Sequence, residues 1–387
     1  MHSRKRDGSS PERPPFLIAA VSGRALAASA ARAGYPVVVL DLFADSDTCA
    51  AACAVRDVSQ RRRLAFSARR LLAAADELTP AGACAGVVPG SGFEMRPGLL
   101  AKLCTGRTLH GNAPNVVRAV KHPQRFFRLL DDLGIRHPEV SFALPLRRSG
   151  WLVKRAGGAG GAHIRPARDA GAQASRVDYF QRVVAGRSMS VLFVADGARF
   201  RIIGYNDLWH AGVRGADTPF LYGGALGAAV PGGRVTEQVG AALERLVAAS
   251  GLVGLNGLDF IVDEHERVQV LEINPRPTAT LDLYDADCDG GLFDWHLSAC
   301  RGVLPRAAQR TGIARATAVV YAAQSLRVPD DCVWPEWASD RPRPQTWIPL
   351  GAPVCTVRAE AGGRDAAQRL VREREQLMMQ ILWRNAA

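Results

Sequence analysis

Lysine is almost missing from this chain. Of its 49 basic residues only Lys5, Lys102, Lys121 and Lys154 are lysines, and arginine fills every other cationic position. A lysine is a compact charge on a flexible stem and an arginine a planar fork, so Lys121 and Lys154 stand out before any motif is invoked. Aromatic residues are scarce at 7%, which leaves few platforms for stacking bases. Arg61 to Arg63 and Arg69, Arg70 read as one helix face, so the net charge of +12 does not point to nucleic acid. The eight cysteines show no CxxC pair and no zinc-like Cys/His spacing, and read as the reduced thiols of a cytoplasmic protein. No uncharged stretch exceeds 16 residues, and the one from Thr218 to Gly233 is broken by Pro219, Pro231 and glycines, which excludes a spanning helix. The apolar run Phe16 to Val21 is too short for a secretory signal and reads as a buried strand. The expectation is a soluble protein that binds neither membrane nor nucleic acid.

What is present suits a folded enzyme: 48% hydrophobic and 22% charged residues, at a length that suggests two or three domains. Residues 1–15 are polar and basic and read as a disordered tail. Phe16 to Val21, a helix over Arg24 to Ala33 closed by Gly34, and Val37 to Leu42 form a βαβ unit. A helix is expected over Gln60 to Leu78, and a strand at Ala85 to Val88 leads into the loop Pro89-Gly90-Ser91-Gly92. The first turn, Ser22-Gly23-Arg24, lacks the GxGxxG spacing of a dinucleotide site, which leaves an oxidoreductase with little support. Beyond Gly111, helices over Val116 to Val120 and Pro123 to Leu133 precede a strand-rich region from 150 to 205. A helix over 234–250 and strands over 252–275 follow, then strands at Ala316 to Tyr321 and Val354 to Val357 and a helix from 365 to 384.

Two elements carry chemistry. Leu258 to Val262 and Val268 to Ile273 predict a hairpin, and pairing Asp263 with Val268 puts Asp259 opposite Glu272, with Asn274 on the same face. Facing carboxylates repel unless a cation lies between them, and Asp, Glu and Asn oxygens suit Mg²⁺; the same residues would also suit a solvated hairpin face. The second element is a strand, Trp151 to Arg155, running into Ala156-Gly157-Gly158-Ala159-Gly160-Gly161. Backbone amides of such a loop can close over phosphates with Lys154 beside them. It is not a Walker A loop, because the lysine precedes the glycines, and a flexible hairpin tip is the alternative.

In combination these elements resemble the ATP-grasp superfamily. Lys121 opens a helical segment as that family's first lysine does, and Lys154 with Gly157, Gly158, Gly160 and Gly161 resembles its second lysine and phosphate-covering loop. Within Tyr179-Phe-Gln-Arg-Val-Val-Ala-Gly, Gln181 and Val184 resemble the adenine hinge. Ser188 stands where an acid usually holds the ribose, and Arg182 where an acid is common. Asp259, Glu272 and Asn274 fall at the Mg²⁺ (or Mn²⁺) ligands, with Arg276 at a phosphate or substrate arginine; Arg276 and Lys154 would act in catalysis. The resemblance implies an α/β fold, α+β in the ATP-grasp part. A Rossmann-like domain (16–112) would precede a small lobe (113–186), a large lobe (187–300) and a C-terminal extension (301–387).

The implied activity is an ATP-dependent carboxylate–amine ligation through an acyl phosphate. Its partners would be small-molecule carboxylate and amine substrates, with self-association left open. No Ser/His/Asp signature is needed, and His110, His163 and His210 read as structural or substrate-adjacent. Arg201 to Ala229, with Tyr205, Asp207, Trp209, His210, Arg214 and Tyr222, and Thr278 to Asp294 are expected around the acceptor. The Gly111-Asn112 start, the Leu271-Glu-Ile-Asn-Pro-Arg-Pro run and the long C-terminal extension look most like the branch that serves pterin or furan one-carbon carriers (methanopterin or methanofuran type). That branch includes tyramine–glutamate ligases. A non-catalytic ATP-binding regulator is the alternative.

Overall fold

Phe16–Ala19 is a strand buried at every residue, and it pairs in parallel with Val37–Asp41 and with Gly86–Pro89. Ala54–Asp57 completes the four-stranded sheet of this Rossmann-like unit. Helix Arg24–Arg32 supplies the crossover, and Gly34 turns the chain out of it at φ +73, a left-handed conformation that glycine adopts without strain. The loops after Ala19 and Pro89 therefore stand side by side at the strand C-termini, where an open α/β sheet presents its crevice. The computed structural model describes residues 13–60, 63–169, 177–212, 218–307 and 311–384; residues 1–12 of the expected tail, Arg61, Arg62 and Arg214 lie outside them.

The helix expected from Gln60 to Leu78 starts later and has 11 residues. Only Ala68–Leu78 is helical, begun by Ser67, whose hydroxyl accepts from the Arg70 amide. Ser59–Gln60 and Arg63–Phe66 form a hairpin instead. Phe66 is buried against Phe93, with ring centroids 4.9 Å apart, so tertiary burial overrides the local helical preference.

Helices Pro114–Lys121 and Pro123–Asp132 each carry proline in the first turn, where its missing N–H costs nothing. His122 between them is extended because the residue before a proline is excluded from the helical region. Lys121 thus closes the first helix and does not open the second, and its cation sits at the favourable negative end of the helix dipole.

The small lobe is an antiparallel sheet of Val140–Ser141, Asp178–Arg182, Trp151–Arg155 and Ile164–Pro166. Its register pairs Val153 with Phe180, Lys154 with Tyr179, and Leu152 with Gln181. Alternation sends Trp151, Val153 and Phe180 into a small core with Ala167 and turns Leu152, Lys154, Tyr179 and Gln181 to the opposite face.

The large lobe is an eight-stranded sheet. Met189, Val191 and Phe193 of strand Arg187–Asp196, with Leu258 and Phe260 of strand Val253–Val262, pack on Val239, Leu243 and Leu246 of helix Gly233–Ser250. The other face, through Leu192, Val194 and Leu255, meets helix Gly291–Cys300 and the N-terminal unit. Strands Ala314–Tyr321 and Pro353–Ala361 continue the sheet beyond Tyr222–Ala229, and residues of helix Arg364–Arg384 pack on them. The last seventy residues therefore complete the sheet instead of trailing from it. Among the described residues no helix is long and apolar enough to cross a membrane.

Candidate active site

The hairpin of Val253–Val262 and Val268–Asn274 starts one residue out of the expected register. Val262, not Asp263, faces Val268, and the offset persists through Phe260 opposite Val270. A β-bulge at Leu271 then absorbs one residue, and Asp259 faces Glu272 after all. Without the bulge, Glu272 would point to the other side of the sheet. The row runs on across the sheet: Ser190 faces Asp259 and Asn206 faces Ser190, with Asn206 Nδ2 donating to Ser190 Oγ at 3.1 Å. Ser190 and Asn206 were not singled out from sequence; their only signal is the register itself.

Lys121 reaches this row from its helix end. Its Nζ donates to Glu272 Oε2 at 2.9 Å and to Asn274 Oδ1 at 3.4 Å, while Asn274 Nδ2 donates to Asp259 Oδ2 at 3.1 Å. Burial and the facing charge of Glu272 push the Asp259 carboxyl upward. Burial would do the same to Glu272, but Lys121 outweighs it and holds that carboxyl below the usual range. Two carboxylates and an amide form the oxygen set a hard divalent ion prefers, and the Lys121 ammonium already lies against two of them, so the residues fit a cation. No three His, Cys, Asp or Glu side chains are placed to hold a metal ion together among the described residues; any ion here would complete its shell with water or phosphate.

Arg276 contributes a residue that sequence reading missed. Its Nε donates to Glu94 Oε1 at 2.6 Å, and Gly92 N donates to Glu94 Oε2 at 2.7 Å. Glu94 is 6% exposed at its side chain, and although burial would raise it, Arg276 and Lys121 hold it low. The loop after Pro89 thus carries an acid from the N-terminal unit into the ATP-grasp-like part. Gly92 marked that loop, but nothing in its spacing marked Glu94.

Lys154, on the facing lobe, is buried and makes no hydrogen bond or ion pair among the described residues; burial lowers it to about 8. The glycine loop behind it is docked. Tyr222 N donates to Gly160 O at 2.9 Å, and a Cβ at Gly161 would stand 1.8 Å from the Phe220 carbonyl oxygen. Gly157 lies against Met95, and Gly158 against His163. Gln181 is 1% exposed with Nε2 unpartnered among the described residues; Val184 is half-buried in the link before strand Arg187–Asp196, and Ser188 is half-buried at that strand's start. Ser188 shares the face of Ser190 and hence of Asp259.

Other expected site residues lie elsewhere. Tyr205 packs in the core under helix Gly233–Ser250. Asp207 pairs with Arg187 and Arg364, and Trp209 lies under the Arg372 guanidinium at 4.6 Å. Arg201 faces Val194 within the sheet, and His210 is exposed beside Phe220. His110 is half-buried with its ring nitrogen against the Ala85 carbonyl, and His296 is buried, its Nδ1 accepting from Leu255 N at 2.9 Å. Of Thr278 to Asp294, three acids hold the N-terminal unit: Asp282 binds Arg24, Asp285 binds Ser29 and Arg32, and Asp294 binds Tyr35; Asp287 binds Arg315 instead.

Residues 124–280 match the ATP-grasp domain family, and no curated protein matches the chain. Among solved structures the chain is similar to a biotin carboxylase–β,γ-ATP complex from Campylobacter jejuni (TM-score 0.72, 14% identity, 92% of this chain and 89% of that one). It is also similar to the biotin carboxylase domain of Hydrogenobacter thermophilus 2-oxoglutarate carboxylase with MgADP and bicarbonate (0.72, 13%, 93% and 89%). An N5-carboxyaminoimidazole synthase from Aspergillus clavatus with ADP and its aminoimidazole ribonucleotide gives 0.69 at 14%, over 96% and 99%. At such identities the likeness is one of fold.

Proposed function

We propose that this chain, which carries an ATP-grasp domain, is an ATP-dependent ligase that joins a carboxylate to an amine. The observation that carries the reading is the convergence of two of the four lysines on one row: Lys121 bonded to Glu272 and Asn274, and Lys154 buried within the field of Glu272 and Asp259 with no hydrogen bond or ion pair among the described residues. Gln181 and Val184 would hold the adenine and Ser188 the ribose, with Gly157, Gly158, Gly160 and Gly161 over the phosphates. Asp259, Glu272 and Asn274 would hold Mg²⁺ or Mn²⁺, which when bound neutralises phosphate oxygens.

The substrate carboxylate oxygen attacks the γ-phosphorus, the bond to the β-bridging oxygen breaks and ADP leaves. The amine then adds to the acyl phosphate, loses a proton and expels phosphate. Such transfer needs positioning and charge neutralisation more than covalent groups on the enzyme. Lys121, Lys154 and Arg276 supply the charge; Glu94 fixes Arg276 against the crevice of the N-terminal unit, and the docked glycine loop excludes water. Nature's choice of substrates is read from resemblance alone: Gly111-Asn112 and Leu271 to Pro277 favour one-carbon carrier biosynthesis, with an amino acid such as glutamate as one partner. No observation favours an oxidoreductase, since the Gly23 amide that would approach a dinucleotide donates to Asp41 at 3.2 Å.

An ADP-release assay across carboxylate and amine pairs tests the reading. ADP is expected only when both partners are present, and Glu272→Gln should abolish it. Full activity in that variant, or stabilisation by NAD and not by Mg·ATP, would sink it.

A further inference from the structure

His163 lies at the return of the glycine loop, one residue before Ile164, which pairs with Lys154. Its ring rests on Gly158, where a Cβ would stand 2.1 Å from the imidazole Cγ, so glycine at 158 is what admits it. Nδ1 is buried and makes no hydrogen bond among the described residues, while the Ala159 backbone carbonyl lies close enough to the ring to favour its protonated form. After burial, the charges the ring feels most are those of Glu272, Lys154 and Lys121, which makes it a member of the same electrostatic site. Burial holds the imidazole down to about 4, so it is neutral at physiological pH.

A buried ring nitrogen without a partner is satisfied when a ligand brings one. Three cationic side chains, Lys121, Lys154 and Arg276, select an anion here, so the incoming atom is a phosphate oxygen, and with nucleotide bound Nδ1 must carry the neutral ring's single proton, at the expense of an N–H from the other nitrogen toward Ala159. Position along the lobe says which phosphate. The hinge residue Gln181 shares a row with Leu152, and Lys154 and Ile164 form the row two residues further along. His163 stands one residue beyond that, roughly 10 Å from the hinge row at strand spacing, where the distal end of a nucleotide would come.

Resting on the ATP reading above, we propose that His163 Nδ1 donates a hydrogen bond to the terminal phosphoryl group, which makes the loop sensitive to the presence of the third phosphate. Calorimetric titration with Mg·AMP-PNP and with Mg·ADP separates the outcomes. His163→Ala is expected to weaken Mg·AMP-PNP about tenfold and to leave Mg·ADP within about twofold. His163→Asn, whose amide can place an N–H near the Nδ1 position, should recover most of the loss. Equal weakening of both nucleotides, weakening of neither, or an Asn variant no better than Ala overturns the assignment. If the wild-type protein binds neither nucleotide, the ATP reading falls and takes the His163 assignment with it.

Discussion

A lysine buried without a partner titrates where few lysines do. Lys154 is lowered by burial to about 8 from an ordinary 10.5, so its positive charge fades as pH rises through 8. If that charge meets phosphate, Mg·ADP affinity should be level up to about pH 7.5 and fall by up to about tenfold per pH unit above 8. Lys154→Arg should flatten the profile, because arginine stays charged. Titrations from pH 6.5 to 9.5 check this, and a level wild-type profile would remove Lys154 from phosphate binding. The apoprotein answers in the opposite sense. Between pH 8 and 10.5 the unfolded chain binds more protons at this position, so stability rises with pH across that window. Scarcity made Lys121 and Lys154 legible in the sequence. Glu94 was not, because its role comes from a contact with Arg276 across 182 positions, and no local spacing records such a contact.

At the scale of elements, hydrophobic alternation was enough to find the βαβ unit and the hairpin, but not the bulge at Leu271. A slip of one residue leaves the pattern of apolar positions readable in either register, so the facing of Asp259 and Glu272 was inferred through pairings that the early part of the hairpin does not make. The helix over residues 60–67 failed for a related reason, since periodicity cannot report that Phe66 is needed elsewhere. The glycine loop gives a sharper test. Gly161 has φ +78 and its missing Cβ would strike the Phe220 carbonyl. Gly161→Ala should therefore undock the loop, cutting ligase turnover by at least about tenfold, while global stability changes by no more than about 1 kcal/mol. Denaturant melts and ADP release measure the two effects; turnover within a factor of two of wild type would show that docking is not required.

Across the whole molecule, the N-terminal unit and the C-terminal segments are pinned together by charge. Arg24 binds Asp282 and Asp340, with its side chain 8% exposed, and Asp47 accepts from the Asp340 and Arg341 amides at 2.8 and 3.0 Å. Arg24→Ala leaves two acids facing a gap, and removal of one partner from a buried pair typically costs about 3–5 kcal/mol. Calorimetry should show a single transition at lower temperature; two separated transitions would mean that the N-terminal unit holds together without the pin. None of this was legible in the sequence, where arginine and aspartate are common enough that no pair announces itself.

The pin also sets a schedule. Arg24 and Asp340 are 316 residues apart, and at roughly 5–20 residues per second a ribosome needs on the order of 15–60 s to cover that interval. The N-terminal sheet can pair its strands early, yet for that time it presents an unneutralised cation and an open polar face. The chain is therefore most exposed to misassembly during its own synthesis, and the surface that chaperones would meet is the one that later faces the loop at Asp340.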